Sequence, residues 1–201
     1  RIRLGQHVGD IPTVTVPHIA DNQHLIGSIC NLIGEAYRKQ GEYPQALAHY
    51  QRSLDIAEKS GNEELLAAVY GNLGIVHKNQ GHYEQAVKAY EKSLEYSTKQ
   101  GIDRLTAHQY GNLGVVHMLQ GRHALALQVL KMGLEISLRL GDQKAVADGY
   151  GNLGTVYQQT GSFPQALEMY KKALDIMLEL GDQPGTALTY SNLAAGYQAS
   201  G

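Results

Sequence analysis

One interval governs the chain: glycine returns every 40 residues in three independent series. Gly41, Gly81, Gly121, Gly161 and Gly201 form the first, and Gly61, Gly101, Gly141 and Gly181 the second. Gly34, Gly74, Gly114 and Gly154 form the third, with Ala194 in its fifth place. The string Gly-Asn-Leu-Gly is identical at 71–74, 111–114 and 151–154, and Ser-Asn-Leu-Ala at 191–194 echoes it. No insertion or deletion breaks the register from Asp21 to Gly201. A fixed step of this size marks an array of units, none of which can bury its apolar side alone. It argues against two separate globular domains, which 201 residues would otherwise permit.

Within one unit the apolar positions recur at helical spacing twice. Leu65, Leu66, Val69, Leu73 and Val76 make one stripe, ended by Gly81; Tyr83, Ala86, Val87, Tyr90 and Leu94 make the next, ended by Gly101. Pro44 and Pro164 fall near the starts of second helices and Pro184 near the start of a first one, where the missing N–H is harmless. β-Branched alternation is confined to Thr13–Val16, too short to build a sheet. The expected fold is therefore all-α, an α-α superhelix of about four and a half helical hairpins. The units are about 21–60, 61–100, 101–140 and 141–180, with a half unit at 181–201. Residues 1–20 read as the end of a preceding helix plus an irregular linker, or as an apolar segment lying in a groove. Gly34, Gly74, Gly114 and Gly154 fall inside first helices, where glycine costs about 0.5–1 kcal/mol relative to alanine. Four copies of that cost imply a close approach of the partner helix, whose matching small residues are Ala46, Ala86, Ala126 and Ala166.

These residues resemble the tetratricopeptide repeat family, in a 40-residue variety rather than the common 34. The fourth unit carries the pattern as Tyr150, Leu153-Gly154, Tyr157, Gly161, Phe163, Ala166, Tyr170 and Ala173-Leu174. The second carries it as Tyr70, Leu73-Gly74, His77, Gly81, Tyr83, Ala86, Tyr90 and Ser93-Leu94. The third departs most, with His117, His123, Leu130 and Gly133 in those slots. The family's proline after the second helix is missing throughout, and Gly-Asp or Gly-Asn takes its place after three of the four second helices. This longer form is similar to the repeats of the Pins/LGN type and of kinesin light chain. The resemblance covers about 180 residues and is specific for the fold more than for any one partner.

The resemblance implies a groove lined by first helices that holds an extended protein or peptide segment. The asparagine two residues after the leading aromatic then becomes a ladder of Asn72, Asn112, Asn152 and Asn192. Each offers a donor and an acceptor to a partner backbone. The alternative is that each asparagine bonds a neighbouring helix and sets the stacking, since mid-helix asparagine needs some reason. The first unit has Leu32 in this slot. The variable groove positions include Arg38 and Lys39 in the first unit and Lys78 in the second. The third contributes His108, Val115, Met118 and Leu119, and the fourth Gln158. Val115, Met118 and Leu119 are the expected apolar anchor. Arg38 and Lys39 read either as contacts for an acidic end of the partner or as solvated residues favoured by a helix C-terminus.

Other chemistries find no support. Of the nine histidines, His77 and His117 occupy the family's tyrosine slot and read as half-buried packing residues, while His49 is expected to face solvent. No His-x-x-x-His pair exists and Cys30 is the single cysteine, so neither a metal site, a cofactor nor a disulfide is expected. The Gly-Asn-Leu-Gly strings lack the trailing Gly-Lys-Ser of a phosphate loop and lie inside helices. The chain is read as no enzyme. A formal net charge of −2 speaks against nucleic acid, and no run of 18 apolar residues speaks for a membrane. With no signal peptide visible, a cytoplasmic location is expected, and the start at Arg1 suggests an excised piece. The reading is an interaction scaffold; a sensor region of a larger signalling protein and an array that self-associates through uncapped solenoid ends are the alternatives.

Overall fold

The computed structural model describes residues 18–200, and among them nine helices and no strand. In chain order they are α1 (His18–Lys39), α2 (Tyr43–Ser60), α3 (Glu63–Asn79), α4 (Tyr83–Lys99), α5 (Asp103–Leu119), α6 (His123–Leu140), α7 (Gln143–Gln159), α8 (Phe163–Glu179) and α9 (Gln183–Ser200). The helix α1 begins three residues inside the stretch read as a linker. The rest of that stretch, with its suggested groove occupancy, lies outside the described residues.

Every connection turns on glycine. Gly41, Gly61, Gly81, Gly101, Gly121, Gly141, Gly161 and Gly181 all have φ between +66° and +80°, the left-handed region that a Cβ disfavours. At Gly61, Asn62 N donates to Ala57 O at 2.9 Å and closes the last turn of α2. The residue after that glycine starts the next helix. Asn62 accepts from Leu65 N at 3.0 Å, Asp142 from Ala145 N at 3.2 Å and Asp182 from Gly185 N at 2.9 Å. The Gly-Asn and Gly-Asp pairs that stand in for the family's proline are thus combined stop and start signals, each cap stabilising by about 1 kcal/mol.

Helices pack mainly on their chain neighbours. Beyond that, α1 touches α3, α3 touches α5, α5 touches α7 and α7 touches α9. No such contact joins α2, α4, α6 and α8 to one another. First helices are therefore crowded and second helices spread apart, which wedges each hairpin and curves the stack with its concave side on the first helices.

The interior glycines mark close approach, as expected, but what approaches differs. A Cβ at Gly34 would lie 2.6 Å from the Tyr50 ring, at Gly74 2.4 Å from Tyr90 and at Gly154 2.6 Å from Tyr170. At Gly114 it would meet Leu130 at 2.4 Å. The small notch in each first helix thus accepts a large side chain of the second helix, while Ala46, Ala86, Ala126 and Ala166 are fully buried beside it. Tyr50, Tyr90 and Tyr170 become the largest fully buried side chains of the core. His117 is buried and His77 half-buried beside His82. His49 does not face solvent: it is half-buried and stacks on Tyr37, ring centroids 5.5 Å apart and planes 19° apart. The gap between α1 and α2 is wide enough at that level for a ring pair.

Candidate peptide-binding groove

The concave face holds a trough of about 600 Å³ between α5, α7 and α9. His108, Asn112, Val115, Asn152 and Asn192 line it, with Thr155, Asp148 and Leu188 beside them. Its floor reaches back to Leu130, Leu134 and Ser137 of α6 and to Met177 of α8. Five of the expected groove residues are thus brought together.

The trough is open because of small residues at two levels. Gly71, Gly111 and Gly151 occupy the same place in successive first helices, yet only Gly71 is covered. There a Cβ would meet Gln109 Nε2 at 2.4 Å. The residue corresponding to Gln109 above Gly111 is Gly149, which has no side chain to offer. Above Gly151 it is Thr189, whose hydroxyl donates instead to Gly185 O at 2.8 Å. A Cβ at Gly111 or Gly151 would meet nothing within 4 Å. These two glycines escaped the sequence reading, although the doubled glycine of Gly-Asn-Leu-Gly was a signal: the notch needs only the second.

The asparagines divide. Asn72 donates from Nδ2 to Asn31 Oδ1 of α1 at 3.0 Å, the stacking role. Asn112 lies 3.5 Å from Gln109 Oε1 on its own helix. Asn152 and Asn192 are half-buried in the trough lining with no side-chain hydrogen bond among the described residues. Their donors and acceptors are available to a visitor.

The remaining expected residues lie outside the trough. Met118 packs against the cluster of Ala126, Leu130, Leu153 and Val156, and Leu119 is exposed. Gln158 accepts at Oε1 from the Tyr170 hydroxyl at 2.8 Å. Lys39 is paired with Glu35 at 2.8 Å. Arg38 is largely buried, 4.0 Å from Glu35. Lys78 is half-buried and has no ion pair among the described residues; burial, and then the charge of Arg38, holds its ammonium below the usual lysine range. Burial likewise pushes the Tyr90 phenol well up.

At the far rim Lys144 Nζ sits 2.6 Å from Asp182 and 3.3 Å from Asp148. Partial burial disfavours its charge, but the two carboxylates outweigh burial and hold it above its ordinary value. Lys144, and the Gly185 N–H behind it, hold Asp182 below its own. Sequence reading missed Lys144 because its partner comes from the next unit. Among the described residues no three His, Cys, Asp or Glu side chains are placed to hold a metal ion. No helix there is long and apolar enough to cross a membrane.

The tetratricopeptide repeat family profile matches residues 26–99, 105–179 and 145–201, and a second tetratricopeptide repeat profile matches 72–137. No curated protein sequence matches the chain. Solved structures with the same architecture include BtubC (BKLC) from P. vanneervenii, at TM-score 0.81 and 23% identity over 92% of this chain and 77% of that one. A signal transduction ATPase with numerous domains and a tetratricopeptide repeat sensor, from Pyrococcus horikoshii, gives TM-score 0.79 at 16% identity. That match covers 87% of this chain and about a quarter, 27%, of the other. The MamA protein gives TM-score 0.61 at 22% identity, covering 87% and 82%. At these identities the likeness is one of fold.

Proposed function

The chain belongs to the tetratricopeptide repeat family, whose solenoids serve as protein-interaction scaffolds, and from that premise we propose that its concave trough holds an extended peptide segment of a partner protein. The observation that carries this reading is the pairing of bare helix backbone at Gly111 and Gly151 with the uncommitted amides of Asn152 and Asn192. A helical glycine that packs against nothing has a helix-propensity cost and no internal compensation. Close approach of another backbone supplies one, and a side-chain amide beside it can answer both the N–H and the C=O of that backbone. Val115 and Leu188 offer apolar contact for one side chain of the segment.

The test is selection of binders from a random linear peptide display library on this chain, followed by titration of a selected peptide. Asn112→Ala with Asn152→Ala should weaken it by about tenfold or more with helicity unchanged. Unchanged affinity, or a selection that yields nothing above background, would overturn the reading.

A second reading, self-association, rests on the apolar surface of the two outer first helices. Leu25, Ile29, Leu32 and Ile33 of α1 and Leu188 and Tyr190 of α9 are exposed. Three of the α1 positions correspond to Leu65, Val69 and Leu73, which the preceding second helix covers in α3. Sedimentation across a concentration series decides it: a constant monomer mass removes the second reading and leaves the first untouched.

A further inference from the structure

The second, third and fourth units carry a tyrosine at the same place in their first helices: Tyr70, Tyr110 and Tyr150. In the second and fourth units the second helix lays a lysine over that ring. Lys92 Nζ lies 4.7 Å from the centre of Tyr70 and donates to its hydroxyl at 3.1 Å. Lys172 Nζ lies 5.6 Å from the centre of Tyr150. In the second unit Tyr96 also stacks on Tyr70, ring centroids 6.1 Å apart and planes 7° apart. The third unit has no lysine and no second ring at these positions. Met132 stands where Lys92 and Lys172 do, and Ile136 where Tyr96 does.

Beside Tyr110 there is instead a cavity of about 320 Å³ between α4, α5 and α6. That is the small end of the roughly 300–1,000 Å³ range of ligand sites, a size for one side chain. Met132 and Ile136 give it apolar wall, and its charged residues are Asp103, Glu135 and Arg139. Arg139 is paired with Asp103 at 2.8 Å, so those two charges cancel. Glu135 is exposed and has no ion pair among the described residues, which leaves the cavity one negative charge unbalanced. A tyrosine face attracts a cation through its quadrupole. Apolar wall suits the methylene stem of a basic side chain, and a carboxylate accepts from its N–H groups. The chain meets this tyrosine with its own lysine in two other hairpins, so the hairpin geometry admits such an occupant.

We infer that the flank of the third hairpin is a second interaction site, in which Tyr110 and Glu135 take up a basic side chain of a partner protein with its stem against Met132 and Ile136. None of these residues lines the concave trough, so the site stands independently of the groove reading. Lysine and arginine share the required chemistry.

Three small probes test it without needing a partner: N-acetyllysine methylamide, N-acetylarginine methylamide and, as neutral control, N-acetylnorleucine methylamide. Each is titrated into the full chain at low salt while the NMR signals of the Tyr110 ring and the Met132 methyl are followed. The two cations should shift these signals saturably and the norleucine control should not. The tighter of the two cations tells lysine from arginine. Tyr110→Leu, read at the Met132 methyl, should weaken binding by about threefold to thirtyfold. Glu135→Gln should weaken it as well. Glu95→Gln makes the same charge change at the corresponding place in the second unit and should leave binding unchanged. Met132→Lys, at an exposed position, supplies the chain's own ammonium as Lys92 and Lys172 do, and should abolish binding with helicity intact. No saturable shift with either cation, binding retained by Met132→Lys, or equal loss in Glu135→Gln and Glu95→Gln overturns the inference.

Discussion

The two halves of the concave face are built from the same string and come out unlike. Over α1 and α3 the surface is filled and charged: Gln109 covers Gly71, Asn72 is tied to Asn31, and Arg38 and Lys78 are half-buried there. Over α5, α7 and α9 it is open and nearly neutral, with Gly111 and Gly151 bare and Tyr170 satisfied. Since Gly-Asn-Leu-Gly is identical in α3, α5 and α7, the difference cannot lie in the string. It lies in the residue 38 positions on, which is Gln109, Gly149 or Thr189. A repeat keeps its backbone geometry constant and lets the next unit decide whether a given surface is floor or filling.

The glycines test this comparison most severely. Gly74→Ala drives a methyl against the Tyr90 ring and should destabilise by about 1–3 kcal/mol. Gly151→Ala meets open space and should stabilise by about 0.5–1 kcal/mol through helix propensity. Denaturant titration of both variants reads the two signs directly, and a common sign would break the distinction between notch and bare glycine. Next in size, Gly149→Gln should place over Gly111 the cover that Gln109 gives Gly71. It should cost a selected peptide about tenfold or more in affinity, measured by calorimetry, with the fold retained.

The tyrosines give a smaller contrast. Tyr170→Phe leaves Gln158 and Thr155 without their partner and should lower stability by about 0.5–1.5 kcal/mol. Tyr90→Phe removes a hydroxyl that bonds nothing and should leave stability unchanged or raised. Equal losses in the two variants, read from urea midpoints, would show that the Tyr90 hydroxyl has a partner after all.

The smallest effect is electrostatic. Burial, and then the neighbouring His82 charge, holds His77 below the usual imidazole value. Its neutral form is therefore favoured in the folded chain. Stability is unaffected above the unfolded value of 6.5 and declines as pH falls through the lower folded value. His77→Tyr, which restores the residue found at Tyr37 and Tyr157, should flatten the acid limb of a stability profile between neutral pH and pH about 5. An unchanged limb would remove His77 as its source.

Much of this was legible beforehand. The eight turn glycines and the four notch glycines announce themselves by period, because a positive φ or a missing Cβ is a demand on residue type alone. His108, Asn112, Val115, Asn152 and Asn192 could be placed on one face through the resemblance to the tetratricopeptide repeat, whose groove positions carry over residue by residue. Met118 and Leu119 could not be separated by counting: they are adjacent, yet one enters the core beside Leu130 and the other stays exposed. The solvent-facing assignment of His49 failed for a similar reason, since its Tyr37 stacking partner comes from the facing helix. Lys144 shows the same limit, its charge being held by Asp182 from the unit beyond.

By itself, then, the sequence determined that this protein is a curved stack of helical hairpins, because backbone conformation at glycine and helical periodicity are local properties that a 40-residue beat repeats without error. Where the stack is open and which asparagines are free were decided only by tertiary structure. Those outcomes depend on side chains about one full unit apart meeting across a helix interface, and no periodicity within a unit records which of them is large, small or already paired.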